Sequence, residues 1–364
     1  MGITATQLTV RRYRSFESYR LELDPRVTVL VGHNAAGKTN LVEALQLLTA
    51  AQSFRRPSAA DLMKDGCGPM SIELALEGEG RRLDMACEVV EGKRSFKRNG
   101  KKTRAAGIRG ELPSVLFCPD HLDMVKRSAS VRRAALDDFG VQLNANYAKL
   151  VQAYERTVEQ RNNLLKDPYA DRTMLAVWDD ALVANGAALM DRRLALLDRV
   201  RERFVAVYGA IAPGECADIS YEATIGPLAG ADRADIATRF ATALERVRED
   251  ERRRGITLVG PHRDELLFTI DGRPARDFGS QGQQQRSLVL AWKIAEVQVT
   301  HDILGRYPLL LLDDVMSELD ERRREAVVKF VADDVQTVIT TTNLGYFSSE
   351  ILDRAKVVHV DGEK

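Results

Sequence analysis

Short stretches rich in β-branched residues, with apolar and polar positions alternating, occur at ITATQLTV, SYRLELD and RVTVLVG near the start of the chain. With turn residues between them, they predict three strands opening a sheet. From Thr39 to Leu48 the period lengthens, and Leu41, Ala44, Leu45 and Leu48 fall on one face of a helix. SIELALEG and RRLDMACEVV predict a hairpin, KRSFKRNGKKTR a second one turning at Asn99-Gly100, and PSVLFCPD a further strand. From about residue 130 to residue 250 the period is helical and the composition rich in Ala, Leu, Arg and Glu. Strand-like pieces return at GITLVGP and ELLFTIDG, the second followed by a turn at Asp271-Gly272. In SLVLAWKIAEV the apolar residues Leu288, Ala291, Trp292 and Ala295 mark another amphipathic helix. PLLLLDDV has the continuous apolar run of a buried parallel strand, and VQTVITTTN and KVVHVDG supply the last two strands. The layout is α/β at both ends with a mainly helical insertion between.

The first chemistry lies between the third predicted strand and the first predicted helix. Gly32, His33, Asn34, Ala35, Ala36, Gly37, Lys38 and Thr39 fit G-x-x-x-x-G-K-[ST] in the strand-loop-helix context that the motif requires. Glycines there let backbone N–H groups wrap phosphates, and the helix N-terminus adds partial positive charge. Lys38 is placed to reach the β- and γ-phosphates of ATP, and Thr39 to ligate Mg²⁺. The buried strand Leu309–Leu312 ends in Asp313, which could hold the same Mg²⁺. Asp314 follows it and is the candidate to orient or deprotonate the attacking water; the bland alternative is support for Asp313.

The stretch FGSQGQQQRS, residues 278–287, puts Ser280, Gly282 and Gln283 where the amphipathic helix begins, with Gln284 and Gln285 as surface residues of its first turn. Ser280 could be no more than a helix cap. The order along the chain adds a second reading: phosphate loop, helical insertion, S-x-G-Q, acidic strand, then Ser317-Glu318-Leu319-Asp320. This order resembles the ABC-type ATPases. The resemblance implies that Ser280, Gly282 and Gln283 face the γ-phosphate of a nucleotide held by a second subunit, in an ATP-dependent homodimer.

Arg14-Ser15-Phe16, FCPDHLDMVK, VRRAALDDF, EQRNNLLK, TLVGPHRDELLF and LLLDDVMSELD narrow the match, since together they resemble the RecF family from residue 3 to about 345. That resemblance implies an ABC-type head with residues 1–125 and 296–364 as the ATPase lobe and 126–295 as a helical lobe carrying the signature. It also implies that Arg14 lies at the nucleotide, and that double-stranded or gapped DNA, RecR and, through RecR, RecA are partners in recombinational repair. A transporter ATPase subunit and a chromosome-organising head are the alternatives. Against the first stand the long insertion and Thr340-Thr341-Thr342 where transporters place a switch histidine; against the second, the absence of a long coiled coil. Asp314 stands where transporters carry Glu, one methylene longer, which suggests slow turnover.

Charge narrows the DNA question. Lys+Arg and Asp+Glu both number 53 in 364 residues, so any DNA contact is a local patch and not a basic coat. The candidates are Arg55-Arg56, the hairpin residues Lys97, Arg98, Lys101 and Lys102 with their neighbours, and Arg132-Arg133, which could equally brace the helical lobe. His262 and Arg263 could couple the lobes or pair with Asp264 and Glu265. The four cysteines are scattered, and no apolar run approaches the length of a bilayer span, so the expectation is a reducing cytoplasmic compartment and no membrane.

Overall fold

Alternation in the N-terminal third folds into antiparallel pairs. In the computed structural model, which describes residues 2–66, 68–122, 124–167, 169, 171–277, 282–331, 335–347 and 349–361, the strands β1 (Thr4–Tyr13), β2 (Phe16–Glu22), β3 (Val27–Val31), β4 (Met70–Gly78), β5 (Arg81–Val90), β6 (Lys93–Arg98), β7 (Lys101–Thr103) and β8 (Ser114–Phe117) are interrupted by α1 (Lys38–Thr49) and α2 (Ala59–Leu62). Then come α3 (Pro119–Leu122), α4 (Ala129–Leu143), α5 (Ala145–Lys166), α6 (Arg172–Ile211), β9 (Ala217–Glu222), α7 (Arg233–Arg254), β10 (Glu265–Ile270) and β11 (Arg273–Pro274). The chain ends through α8 (Gly282–Leu304), β12 (Leu309–Asp313), α9 (Glu321–Val331), β13 (Thr337–Thr341), α10 (Ser349–Arg354) and β14 (Ala355–His359). Two compact units result, Met1–Leu122 with Val289–Lys364, and Asp123–Leu288.

The first unit holds two sheets. One is antiparallel, in the order β2-β1-β4-β5-β6-β7; the other is parallel, in the order β14-β3-β13-β12-β8. The three opening strands therefore do not share a sheet: β1 and β2 join the antiparallel one, while β3, whose five residues are all buried, takes a central place in the parallel one. Helix α1 packs against strands of both sheets. It is covered well beyond one stripe, with Val42, Glu43, Gln46 and Leu47 buried beside Leu41, Ala44, Leu45 and Leu48. One core runs from Leu8, Val10 and Leu74 through Leu41 and Leu45 to Leu309, Leu311 and Val338.

The second unit is built on α5, the 40-residue α6 and α7, with the small antiparallel sheet β11-β10-β9. Strand β9 lies inside the stretch read as helical. GITLVGP, expected as a strand, forms none. Gly255 caps α7 in the left-handed region at φ 65°, and the donors that follow go to side chains: Thr257 N–H to Asn162 Oδ1, Leu258 N–H to Glu251 Oε1 and Gly260 N–H to Thr224 Oγ1. With its N–H groups satisfied this way the segment has no need of a partner strand. No helix among the described residues is long and apolar enough to cross a membrane.

Candidate active site

The site forms at the carboxyl edge of the parallel sheet, where β3, β13 and β12 end side by side. Open α/β sheets place ligands there because the helices that follow such strands point their N-termini at that edge. Between β3 and α1 the backbone turns through Ala35 at φ 66° and Gly37 at φ 97°. A Cβ on Gly37 would stand 2.4 Å from Phe16 Cζ, and one on Gly32 2.4 Å from the Val360 carbonyl, so both glycines answer a close approach. Lys38 Nζ donates to the carbonyls of Gly32 at 2.7 Å and His33 at 2.8 Å, folding the side chain along the inside of the loop. Burial lowers the lysine's pKa, opposed by Asp314 and Asp313.

Thr39 Oγ1 donates to Asp313 Oδ1 at 3.0 Å, although the two residues are 274 positions apart. Thr340 on β13 donates to the same oxygen at 2.8 Å, and its hydroxyl accepts the N–H of Asp314 at 2.9 Å. Burial raises the Asp313 pKa, opposed by the two hydroxyls; burial also raises that of Asp314, opposed by Lys38. Asp314 has φ 52°, and its Oδ1 is buried with no hydrogen-bond partner. This set fits a divalent cation. Cis ligands of an octahedral Mg²⁺ with bonds of about 2.05 Å lie about 2.9 Å apart, which the Thr39–Asp313 separation of 3.0 Å matches. The described residues contain no cluster of three or more His, Cys, Asp or Glu able to hold a metal alone. A cation here would complete its shell with water and substrate phosphate.

Arg14, expected at the nucleotide, pairs bidentately with Glu43 of α1, through Nε at 3.0 Å and Nη2 at 2.8 Å. Glu43 is fully buried and also accepts from Tyr13 Oη at 3.1 Å, Ser53 Oγ at 2.6 Å and Arg55 Nη1 at 3.4 Å. Arg55 donates to Asn40 Oδ1 as well, at 2.9 Å. The sequence does not mark Glu43, and it marks Thr340 only within the Thr340-Thr341-Thr342 run, with no role at the acids. Glu43 reads as an ordinary exposed helix position, and Thr340 as part of a threonine run; a hydroxyl at the end of a strand beside the acidic strand was the available signal for the second.

Gly282 and Gln283 are exposed in the first turn of α8, while Ser280 lies outside the described residues. Gln284 and Gln285 are not surface residues of that turn: Gln284 is half-buried and donates to Glu215 Oε1 at 2.9 Å, and Gln285 is buried. Of the basic candidates, Lys97 pairs with Glu88 at 2.7 Å and Arg98 with Glu111 at 2.6 Å, while Lys101, Lys102 and Arg56 are exposed. Arg132 is a brace. It is buried, forks onto Glu265 with two bonds of 2.8 Å and donates to the carbonyls of Met124, Val125 and Arg127. His262 pairs with neither Asp264 nor Glu265. Its Nε2 faces the Thr257 carbonyl at 3.2 Å, which can only accept, so the proton sits on Nε2 and Nδ1 accepts from Tyr154 Oη at 2.7 Å.

Comparison with known proteins agrees with this architecture. The family model for the RecF/RecN/SMC N terminal domain matches residues 4–362. The DNA replication and repair protein RecF of Lactobacillus gasseri is 34% identical over 363 residues, covering 96% of either chain. RecF of Symbiobacterium thermophilum is 37% identical over 341 residues, 93% of this chain and 91% of its own. A solved structure of the recombination mediator protein RecF with ATPrS, from the RecFOR pathway, superposes with a TM-score of 0.88 at 27% identity, over 95% of this chain and 94% of that one. An Smc head bound to the C-winged helix domain of ScpA, at TM-score 0.58 and 14% identity over 98% and 93% of the two chains, shares the fold alone. An ABC-type ATPase head carrying an inserted helical unit, matched along its whole length to these relatives, places the chain in the RecF family of DNA replication and repair proteins.

Proposed function

We propose that this protein is an ATP-dependent DNA-binding ATPase of recombinational repair. ATP binds in the loop from Gly32 to Thr39, with Lys38 released from the Gly32 and His33 carbonyls to meet the β- and γ-phosphates. Thr39 and Asp313 hold Mg²⁺, which neutralises phosphate charge when bound. Asp314 orients the attacking water, and its short side chain keeps turnover slow. The bond between Thr39 and Asp313 carries this reading, since it joins the phosphate-loop helix to the acidic strand within 3.0 Å. ATP bound by relatives of the same fold supports it.

In the same reading, Ser280, Gly282 and Gln283 of one subunit contact the γ-phosphate held by the other. ATP thereby closes a homodimer that clamps double-stranded or gapped DNA, and hydrolysis opens it. RecR, and through it RecA at single-strand gaps, are the partners. Sedimentation with no nucleotide, with ADP and with ATP, in the presence of a labelled gapped duplex, tests the proposal. ATP alone should give a DNA-binding dimer, and Lys38→Met and Ser280→Arg should stay monomeric. A Ser280→Arg chain that dimerises normally overturns the shared-site model.

A further inference from the structure

The three threonines at the end of β13 have different surroundings. Thr341 Oγ1 donates to the Asn343 carbonyl at 2.9 Å and accepts its N–H at 3.1 Å, and Thr342 is exposed. Thr340 is fully buried and turns its hydroxyl to the acids. A hydroxyl has one proton to give and lone pairs to receive. This one gives its proton to Asp313 Oδ1 at 2.8 Å and receives the Asp314 N–H at 2.9 Å. Thr340 stands opposite Asp313 in the parallel ladder on one side and opposite Leu30 of β3, the strand that leads into the phosphate loop, on the other.

The Asp314 backbone explains why the second bond matters. At φ 52° the residue sits in the left-handed region, which carries an energetic cost for a residue with a Cβ. Its amide is held to Thr340, and its Oδ1 is left buried and without a partner. One hydroxyl therefore fixes both the carboxylate oxygen that also meets Thr39 and the strained turn that aims the next acid.

We propose that Thr340 is a positioning residue that couples the cation-holding acid Asp313 to the hydrolytic acid Asp314. The inference rests on the nucleotide reading above. Groups that orient a metal ligand contribute 10- to 100-fold to metal affinity or activity. Valine matches threonine in shape but neither donates nor accepts, whereas serine keeps the hydroxyl.

The test is the Mg²⁺ concentration that half-saturates binding of a fluorescent ATP analogue, measured beside turnover and thermal unfolding for Thr340→Val, Thr340→Ala and Thr340→Ser. Thr340→Val and Thr340→Ala should raise the half-saturating Mg²⁺ by roughly 10-fold or more and lower turnover, with binding of the analogue in EDTA unchanged; Thr340→Ser should stay within about 3-fold of the parent. Thr340→Ala strands the Asp314 N–H as valine does but leaves room for a water to accept it, and so keeps the comparison open if valine prevents folding. An unshifted Mg²⁺ requirement in the variants lacking the hydroxyl, or an equal loss in Thr340→Ser, overturns the proposal. A parent chain whose ATP binding ignores Mg²⁺ would instead sink the nucleotide reading, and this inference with it.

Discussion

At the scale of single residues, the phosphate loop shows how little room the fold leaves. Gly37 combines φ 97° with a would-be Cβ at 2.4 Å from Phe16 Cζ, so alanine there meets both backbone strain and a ring wedged under the loop. Gly37→Ala should lose about 1–3 kcal/mol of stability together with nucleotide binding. Thermal melts and calorimetric titration with ATP read the two losses separately, and a variant that binds ATP normally would contradict the close-packed loop. Glu43 makes a different demand. Its carboxylate is fully buried and collects Arg14, Tyr13, Ser53 and Arg55, whereas the exposed pair Arg82–Glu77 sits in water at 3.7 Å. Removing the charge strands Arg14 in a half-buried place. Glu43→Gln should therefore cost about 3 kcal/mol in chemical denaturation, against less than about 1 for Glu77→Gln.

Elements, the next scale up, divide into those with a local signal and those fixed by distant partners. The Asn99-Gly100 turn was legible because φ 48° and φ 74° are the conformations of a two-residue hairpin, which that dipeptide favours. Buried β12 is marked by its continuous apolar run and α8 by the three- and four-residue spacing of its apolar residues. Helix α8 is nevertheless not the amphipathic helix expected: Ser287 to Val297 are buried on every face, with Lys293 and Glu296 paired inside. The segment from Gly255 to Arg263 carries no such mark, since its order comes from Asn162, Thr224 and Glu251, side chains that neighbour it only after folding. At the site, Lys38, Thr39 and Asp313 could be picked out because their motifs have fixed spacing; Thr340 and Glu43 could not, because their partners are set by sheet order and helix burial.

The same segment makes the helical unit sensitive to two changes. Arg161 is buried and joins Asp179 at 2.7 Å, Glu251 at 2.6 Å and Thr257 at 2.9 Å. Arg161→Met takes the guanidinium from fully buried Glu251 and leaves Asp179 with Arg248 at 3.6 Å, and should cost about 3–5 kcal/mol in denaturant melts. His262 is held neutral, burial pushing its pKa down to about 4. The unfolded chain, with an ordinary histidine near pH 6.5, takes up a proton first as pH falls. The stability His262 contributes is thus complete above pH 6.5 and drains away toward pH 4, by about 2 kcal/mol at pH 5. Compared with His262→Gln, the parent should lose that much more stability between pH 7.5 and pH 5. Equal losses in the two proteins would show that His262 titrates normally.

For the whole molecule, balance of charge decides how DNA can be held. With 53 basic and 53 acidic residues, long-range attraction is weak and phosphate contacts must come from local sets. The ion pairs thin those sets out. Arg55 is turned to Asn40 and Glu43, Lys97 to Glu88, and Arg98 to Glu111, while Lys101 and Lys102 on the edge strand β7 are exposed. Lys102 lies directly across from Lys97 in the β6–β7 ladder, but Glu88 already meets the Lys97 charge, so on this edge Lys101 and Lys102 are the cations placed to meet a phosphate. If this edge meets the DNA backbone, each lysine releases about one counterion, and the double variant Lys101→Ala, Lys102→Ala should flatten the slope of log affinity against log salt by about 1.8. Loss of affinity should be uniform across DNA sequences, because phosphate contacts read none. Fluorescence anisotropy with ATP present, from about 50 to 200 mM salt on two unrelated duplexes, measures both slope and uniformity. An unchanged slope would move the DNA contact away from β7, and a loss on one duplex alone would mean that the edge reads bases.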